Sequence, residues 1–393
     1  MNLSDSKIKV LRPTIPSACF KARWIIPSPD KIIENGIIEV ENGQIKDIST
    51  SGVHKHATDL GDGVIIPALV NAHIHLELSA LESALDLTKG FETWVQQLLI
   101  KRDALGEEKL KVAADKAAAA QADMGTGIVG EISTLGITRP SIEQNGLSGI
   151  WFQEVLGSSL METDLKQNDS LSFSIAGHAP HTTDPEVLKK AKSKTADKGL
   201  KFSIHLAESE AESLFLGTGK GQWADFLASR GIDTTGWPIG NISPVKYLNR
   251  LGILDQNTLA VHLLRTEKKD FEVLAQKGTQ VCLCPRSNQN LHGRLPDIDT
   301  MLEMGLEPAL GTDSLASCAS LSLFDEMAFV RDKYPSIGPE TVFSMTTANG
   351  AKALGLEHTF GSLLPGKQAL FAYVEMSEFK KSQILERLTW NEI

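Results

Sequence analysis

The sequence predicts a (β/α)8 barrel with a small β-sandwich domain assembled from both termini, and three observations carry the prediction. Eight short apolar segments between 68 and 313 are each followed by helical or loop-forming sequence. On either side of them lie stretches of turn and alternating strand without a long helix. Titratable residues gather where the apolar segments end.

The N-terminal stretch 8–66 is the first flank. Within it IIENGIIEVENGQIKDIS carries Asn-Gly twice, at 35–36 and 42–43, with apolar alternation between, a hairpin signal. The strand candidates follow as ALVNAHI (68–74), GIVGEI (127–132), GIWFQEV (149–155), LSFSIAGH (171–178), KFSIHL (201–206), TLAVHLL (258–264), TQVCLCP (279–285) and EPALGTD (307–313). Helical sequence separates them, as in 107–125 and in 184–199, the latter opened by Asp184-Pro185 and closed by Gly199. Eight such units over 68–355 match the roughly 250 residues of a (β/α)8 barrel. Turn and strand return in GSLLPGKQALFAYVE, so residues 1–67 and 356–393 are expected to form the small domain together.

Bulk properties narrow the function. Of the 393 residues, 41% are hydrophobic and 22% charged, an ordinary globular balance. A net charge of −10 argues against a nucleic-acid partner, which needs clustered Lys and Arg. Cysteines at 19, 282, 284 and 318 are too few and too irregular for a disulfide framework, and Cys282 and Cys284 read as structural residues of one strand. Neither a signal-peptide pattern nor an apolar run near the ~20 residues of a membrane span is present, so a cytoplasmic protein without a membrane partner is expected. Composition leaves the assembly open, with a homodimer as the common arrangement among soluble enzymes.

In a barrel of this kind the chemistry sits at the C-terminal ends of the strands. The first strand ends in His73-Ile74-His75, the fourth in His178, the fifth in His205, the sixth in His262 and the eighth in Asp313. Side chains two apart on a strand share a face at about 6–7 Å, so His73 and His75 can hold one ion together. With His205 and Asp313 they make three imidazoles and a carboxylate, a donor set for one Zn2+ or Fe2+ per chain. LSFSIAGH has no lysine to bridge a second ion. Glu208, three residues past His205, is placed to carry a proton, with His262 orienting the attacking water.

Other residues carry weaker signals. Glu210 and Glu212 read as solvent-facing, and His54-Lys55-His56 as a surface turn. His181, His292 and His358 lack a comparable position, His292 being at most a substrate contact. Residues 217–247 form a long insertion, either a lid or a structural element. A phosphate loop and a Gly-x-Ser-x-Gly elbow are both missing.

PALVNAHIHLE, HLAE, AVHLL, CPRSNQNL, ALGTDS, TANGAKALGL and GSLLPGK together resemble the amidohydrolase superfamily, in its nucleobase-deaminase-like branch. The resemblance spans nearly the whole chain. It implies the same four ligands, a catalytic Glu208 and His262 with Asp313 beside them, and hydrolytic deamination of a small nucleoside. NAHIHLELSAL, GHAPHTTDPE and CPRSNQNL are further similar to aminodeoxyfutalosine deaminases of the menaquinone pathway. Their substrate is an adenine nucleoside whose 5′ end carries a benzoate-bearing chain. On that resemblance His178 would touch the purine or sugar, and Arg286 would clamp the carboxylate. Glu77 and Trp94 would line the sugar pocket. Rival readings are deamination of adenosine, S-adenosylhomocysteine, methylthioadenosine, guanine or an s-triazine, and a scaffold that has lost catalysis. One departure is Gly366-Lys367-Gln368-Ala369-Leu370, where the family has Asp in the last position.

Overall fold

The computed structural model describes residues 7–50, 57–168, 170–240, 242–377 and 379–393. His54 and His56 lie outside the described residues.

The alternating flanks form one seven-stranded mixed sheet. It contains β1 (Ile8–Leu11), β2 (Ser17–Ser28), β3 (Lys31–Glu41), β4 (Gln44–Ser49), β5 (Thr58–Asp59), β6 (Val64–Pro67) and, from the far end of the chain, β15 (Phe371–Val374). β15 sits between β1 and β6, so the two ends of the chain are hydrogen-bonded into one sheet. Period-two alternation divides the side chains between two cores. Trp24, Ile26, Val64 and Ile66 join the large core shared with the barrel helices, while Ile25, Ile65 and Phe371 fill a smaller one.

Only the second Asn-Gly pair makes a turn. Asn42 and Gly43 both take positive φ (51° and 76°) between β3 and β4. Asn35-Gly36 instead runs inside β3, paired across to β2. The β2–β3 reversal is made at Pro29-Asp30, where the Ser28 hydroxyl donates to the Asp30 carboxylate at 2.6 Å. Gly36 is needed for packing: a Cβ there would lie 2.6 Å from Ile25 Cδ1.

The eight predicted strands form the second sheet, all parallel and in chain order. They are β7 (Leu69–Ile74), β8 (Thr126–Ser133), β9 (Ser148–Val155), β10 (Leu171–Gly177), β11 (Phe202–Leu206), β12 (Thr258–His262), β13 (Gln280–Leu283) and β14 (Ala309–Leu310). The barrel closes between β14 and β7 just past the last paired residues. The amides of Thr312 and Asp313 donate to the His73 carbonyl at 3.1 Å each, and the His75 amide donates to the Asp313 carbonyl at 3.1 Å. Gly311 allows that approach, since a Cβ would fall 2.7 Å from the His73 carbonyl oxygen.

Helices cover the barrel where caps predict them. Asp184 accepts from the amides of Glu186 and Val187 and starts the helix Pro185–Ala196. The β7–β8 connection holds the helix expected over 107–125, at Glu107–Asp123, preceded by a 3-10 helix at Leu76–Leu81 and an α-helix at Phe91–Leu105. The 217–247 insertion contains the helix Gln222–Ser229 and a buried Trp237 packed edge-on to Phe215, so part of it is structural. At the C-terminus, Ile384, Leu385 and Leu388 of the helix Ile384–Thr389 share a core with Met327 and Phe343 of the barrel's outer helices. Cys282 and Cys284 are buried in the core, and burial raises the Cys284 thiol well above its ordinary range.

Candidate metal centre and substrate cavity

Alternation along β7 turns Asn71, His73 and His75 to one side and Val70, Ala72 and Ile74 to the other. The His73 and His75 rings meet edge to face at 4.8 Å between centroids. β11 delivers His205 in the same way, Ile204 and Leu206 going to the core behind it. The Nε2 atom of His205 lies 3.3 Å from that of His73 and 3.4 Å from that of His75. An Asp313 oxygen stands 3.9 Å from His75 Nε2.

These spacings fit a cation. Two ligands of a tetrahedral ion with bonds of about 2.1 Å are separated by roughly 3.4 Å. Protons cannot satisfy the cluster, because each neutral imidazole has a single N–H and His205 donates its own to the His178 carbonyl, 2.7 Å from Nδ1. That bond turns the lone pair of Nε2 toward the centre, as in metal-ligating histidines generally. Two of the imidazoles, His73 and His75, are held neutral. Burial, then repulsion from the neighbouring histidines, holds His73 well below the usual range, and burial takes His75 down to about 4. Neutral imidazole is the form that binds metal. The other Asp313 oxygen, Oδ2, accepts from Ser287 and Ser317 hydroxyls at 2.5 and 3.1 Å. A second ion sharing Glu154, His178 and His205 would need His205 Nδ1, which the His178 carbonyl already holds.

Glu208 and His262 stand at the edge of this cluster, 3.8 Å apart. The chain reaches Glu208 through Ala207, which takes a left-handed φ of 54°. Glu212 holds that backbone: its carboxylate accepts from the amides of Ala207 (3.0 Å) and Glu208 (2.8 Å). Glu212 is therefore fully buried, correcting the expectation of a solvent-facing residue, and burial lifts its carboxyl to about 8. For Glu208 burial also acts upward. The nearby His262, the hydrogen bond from His292 and His205 outweigh it and leave the group below the ordinary carboxylate range, ionised and able to take a proton. His262 is anchored through Nδ1 by the Asn288 side-chain amide at 3.1 Å, which turns Nε2 toward Glu208.

One cavity opens over these groups. Its inner part is bounded by His75, Glu154, His178, His205, Glu208, His262 and Asp313, and its outer part by Phe91, Trp94, Leu98, Leu99, Arg102 and Leu156. His178 Nδ1 is held by the Thr182 hydroxyl at 2.6 Å, leaving its other nitrogen for a ligand. Trp94 presents an apolar face, because its N–H donates to the Ala316 carbonyl.

Arg286 and Glu77 are not among the lining residues. Arg286 lies beside Asp325 and the fully buried Glu326, at 3.7 and 3.8 Å, and donates to the Ser320 carbonyl. The guanidinium expected as a carboxylate clamp is thus engaged with these groups and does not line the cavity. Glu77 is buried and accepts from Ser133 Oγ and the amides of Thr134 and Leu135, contacts that tie it to the end of β8.

Other cavity groups were given no role from sequence. Glu154, at the end of β9, accepts from Thr134 Oγ1 at 2.5 Å and faces His205; its signal was a lone carboxylate closing an apolar strand. His181 and Trp223 form a contacting pair in the wall, at 4.5 Å between ring centroids. His358 is exposed.

The Amidohydrolase family model matches residues 154–389. The chain is 29% identical over 330 residues to the aminodeoxyfutalosine deaminase of Deinococcus radiodurans, covering 77% of this chain and 76% of that protein. It is 26% identical over 375 residues to the 5′-deoxyadenosine deaminase of Methanosphaera stadtmanae, covering 88% and 83%. Among solved structures, aminofutalosine deaminase of Helicobacter pylori in complex with methylthio-coformycin superposes with a TM-score of 0.82 at 24% identity, over 94% of this chain and 96% of that one, a likeness of fold. With more than half of its length matched by the family model and a His/Asp cluster at the strand ends of a (β/α)8 barrel, the chain belongs to the amidohydrolase family.

Proposed function

We propose that the protein is a metal-dependent hydrolytic deaminase of an adenine nucleoside, with 6-amino-6-deoxyfutalosine as the preferred substrate and a place in menaquinone synthesis. The observation that carries the reading is the two-ended cavity: a His/Asp cluster with an ionised Glu208 at one end, and an apolar wall bearing Arg102 at the other.

His73, His75, His205 and Asp313 would hold one divalent ion, Zn2+ or Fe2+, which when bound would supply Lewis acidity toward a water near neutral pH. His262 Nε2 and the Asp313 carboxylate orient the attacking oxygen. Glu208 takes a proton from it and delivers that proton to the ring nitrogen beside the amino-bearing carbon. The carbon becomes more electrophilic and a C–O bond forms; Glu208 then moves the remaining proton of the added oxygen to the amine, and the C–N bond breaks as the oxo group forms. Water and the aminopurine are consumed; ammonia and the oxopurine are produced. His178 holds the purine or sugar through its free nitrogen.

The outer wall favours a substrate with an apolar 5′ extension ending in an anion. Phe91, Trp94, Leu98, Leu99 and Arg102 come from one helix, and among the described residues Arg102 is the one Lys or Arg lining the cavity. Its partner in the structure is the adjacent, exposed Asp103 at 3.0 Å. A ligand carboxylate would meet the guanidinium in a less solvated setting. 5′-Deoxyadenosine or methylthioadenosine, the second reading, would use the same apolar wall and leave Arg102 idle.

The test is ammonia release by metal-loaded protein with aminodeoxyfutalosine, adenosine, 5′-deoxyadenosine, methylthioadenosine, S-adenosylhomocysteine and guanine. Preference for the first supports the full reading. Preference for an uncharged nucleoside keeps the chemistry and discards the anionic tail. No release from any of them overturns the deaminase reading.

A further inference from the structure

One short helix reaches three groups of the candidate centre. It runs from Pro285 to His292, directly after β13. Its Ser287 donates to Asp313 and its Asn288 amide holds His262. Four residues on, and so on the same face as Asn288, His292 brings Nε2 to 3.2 Å from Glu208 Oε1. The first two contacts tune a metal ligand and the water-orienting histidine. The third falls on the proton carrier itself.

His292 is fixed for that contact. Its side chain is 6% exposed, and its ring packs on Phe91 at 4.6 Å between centroids. Gly293, in the left-handed region, ends the helix immediately after it, with its amide donating to the Gln289 carbonyl. The backbone of Glu208 is held separately by Glu212. Among the described residues Glu208 Oε2 accepts no hydrogen bond, whereas Oε1 meets both His292 and, at 3.8 Å, His262.

We propose that His292 is a positioning residue for the proton-transfer step: its Nε2–H donates to Oε1 of Glu208 and leaves Oε2 as the oxygen that carries the proton. The proposal rests on the reading of Glu208 given above. A carboxylate without this donor keeps its place in the chain but loses its rotational orientation, so proton delivery slows while nucleoside and metal binding persist. Phe91 makes the same imidazole a neighbour of the helix that lines the outer cavity.

The experiment compares metal-loaded wild type with His292→Phe, His292→Gln and Glu208→Gln, and combines His292→Phe with Glu208→Gln. Each is measured for bound metal, thermal midpoint, KM and kcat on whichever tested nucleoside the wild type deaminates fastest. His292→Phe is expected to lower kcat about 10- to 100-fold, the scale of one hydrogen bond to a charged group, with KM within about twofold and metal content unchanged. His292→Gln, whose amide N–H can reach the same oxygen, should recover most of that loss. In the Glu208→Gln background His292→Phe should cost nothing further, because a residue acting through Glu208 has nothing left to act on. A His292→Phe protein with wild-type kcat overturns the proposal, as do losses that multiply in the double variant. If His292→Phe fails to fold, a His292→Gln protein with impaired kcat whose loss persists undiminished beside Glu208→Gln overturns it. A wild type that deaminates none of the nucleosides overturns the site reading itself, a result distinguishable from failure of His292 alone.

Discussion

The two ends of the cavity are built in different ways. At the inner end the proposed chemical groups are supplied by strand termini or the residues just after them, and four of them are held by a second residue: His205 by the His178 carbonyl, Asp313 by Ser287 and Ser317, His262 by Asn288 and Glu208 by His292. At the outer end one helix, Phe91–Leu105, presents apolar side chains and a single cation with few directional bonds between them. The inner end is preorganised for chemistry. The outer end offers area and one charge, the means by which related enzymes can share a reaction and differ in substrate.

The comparison breaks first at the inner end. His205→Ala should abolish metal retention and deamination together, read by metal analysis and ammonia release. Glu208→Gln should keep the metal and reduce kcat by about 100- to 10,000-fold, the range of general acid–base catalysis. A variant with near-normal turnover would remove Glu208 from its role.

At the outer end the effect should be smaller and confined to one substrate. Arg102→Met is expected to raise KM for aminodeoxyfutalosine by about 10- to 100-fold, the worth of a charge-assisted hydrogen bond, while adenosine is unaffected. Equal change for both would make Arg102 a general wall residue.

Arg286 sharpens the contrast between two arginines. Burial raises the Glu326 carboxyl to about 8, with Arg286 opposing the rise. A carboxyl raised on folding binds a proton that the unfolded chain sheds near its ordinary pKa of about 4.5, so stability falls as pH rises between those values. Arg286→Met should push the folded value higher and carry the loss further upward. At pH 9, one unit above the wild-type value, the added loss should approach about 1 kcal/mol, the worth of that one unit, and at pH 5, with the carboxyl neutral in both proteins, it should be far smaller. Thermal midpoints at the two pH values test this, and a pH-independent loss would contradict it. KM for every nucleoside should stay near wild type, the opposite of Arg102→Met.

Much of this molecule was legible as sequence. The eight barrel strands, the sheet shared by both ends and the gathering of His73, His75, His205, His262 and Asp313 at one rim follow from period-two alternation and the rule that parallel barrels carry polar groups at strand ends. Such relations are local: the strand that contains a residue already determines its face and its end. The turn chemistry was half legible, since Asn42-Gly43 reverses the chain while Asn35-Gly36 is absorbed by a strand that Pro29-Asp30 has already turned.

Only the tertiary structure decided which charged residues face the cavity and which are committed elsewhere. Arg286 follows a barrel strand and looked like the clamp, yet Glu326, forty residues away, is buried beside it; Arg102, on a helix outside the strand pattern, reaches the cavity wall. Glu212 looked solvent-facing within ESEAES and holds two backbone amides, while His292 meets a glutamate 84 residues earlier. The physical reason is the reach and freedom of long side chains. A strand fixes where its own histidines point, but an arginine or glutamate on a loop or helix finds its partner among residues that only the folded chain brings near.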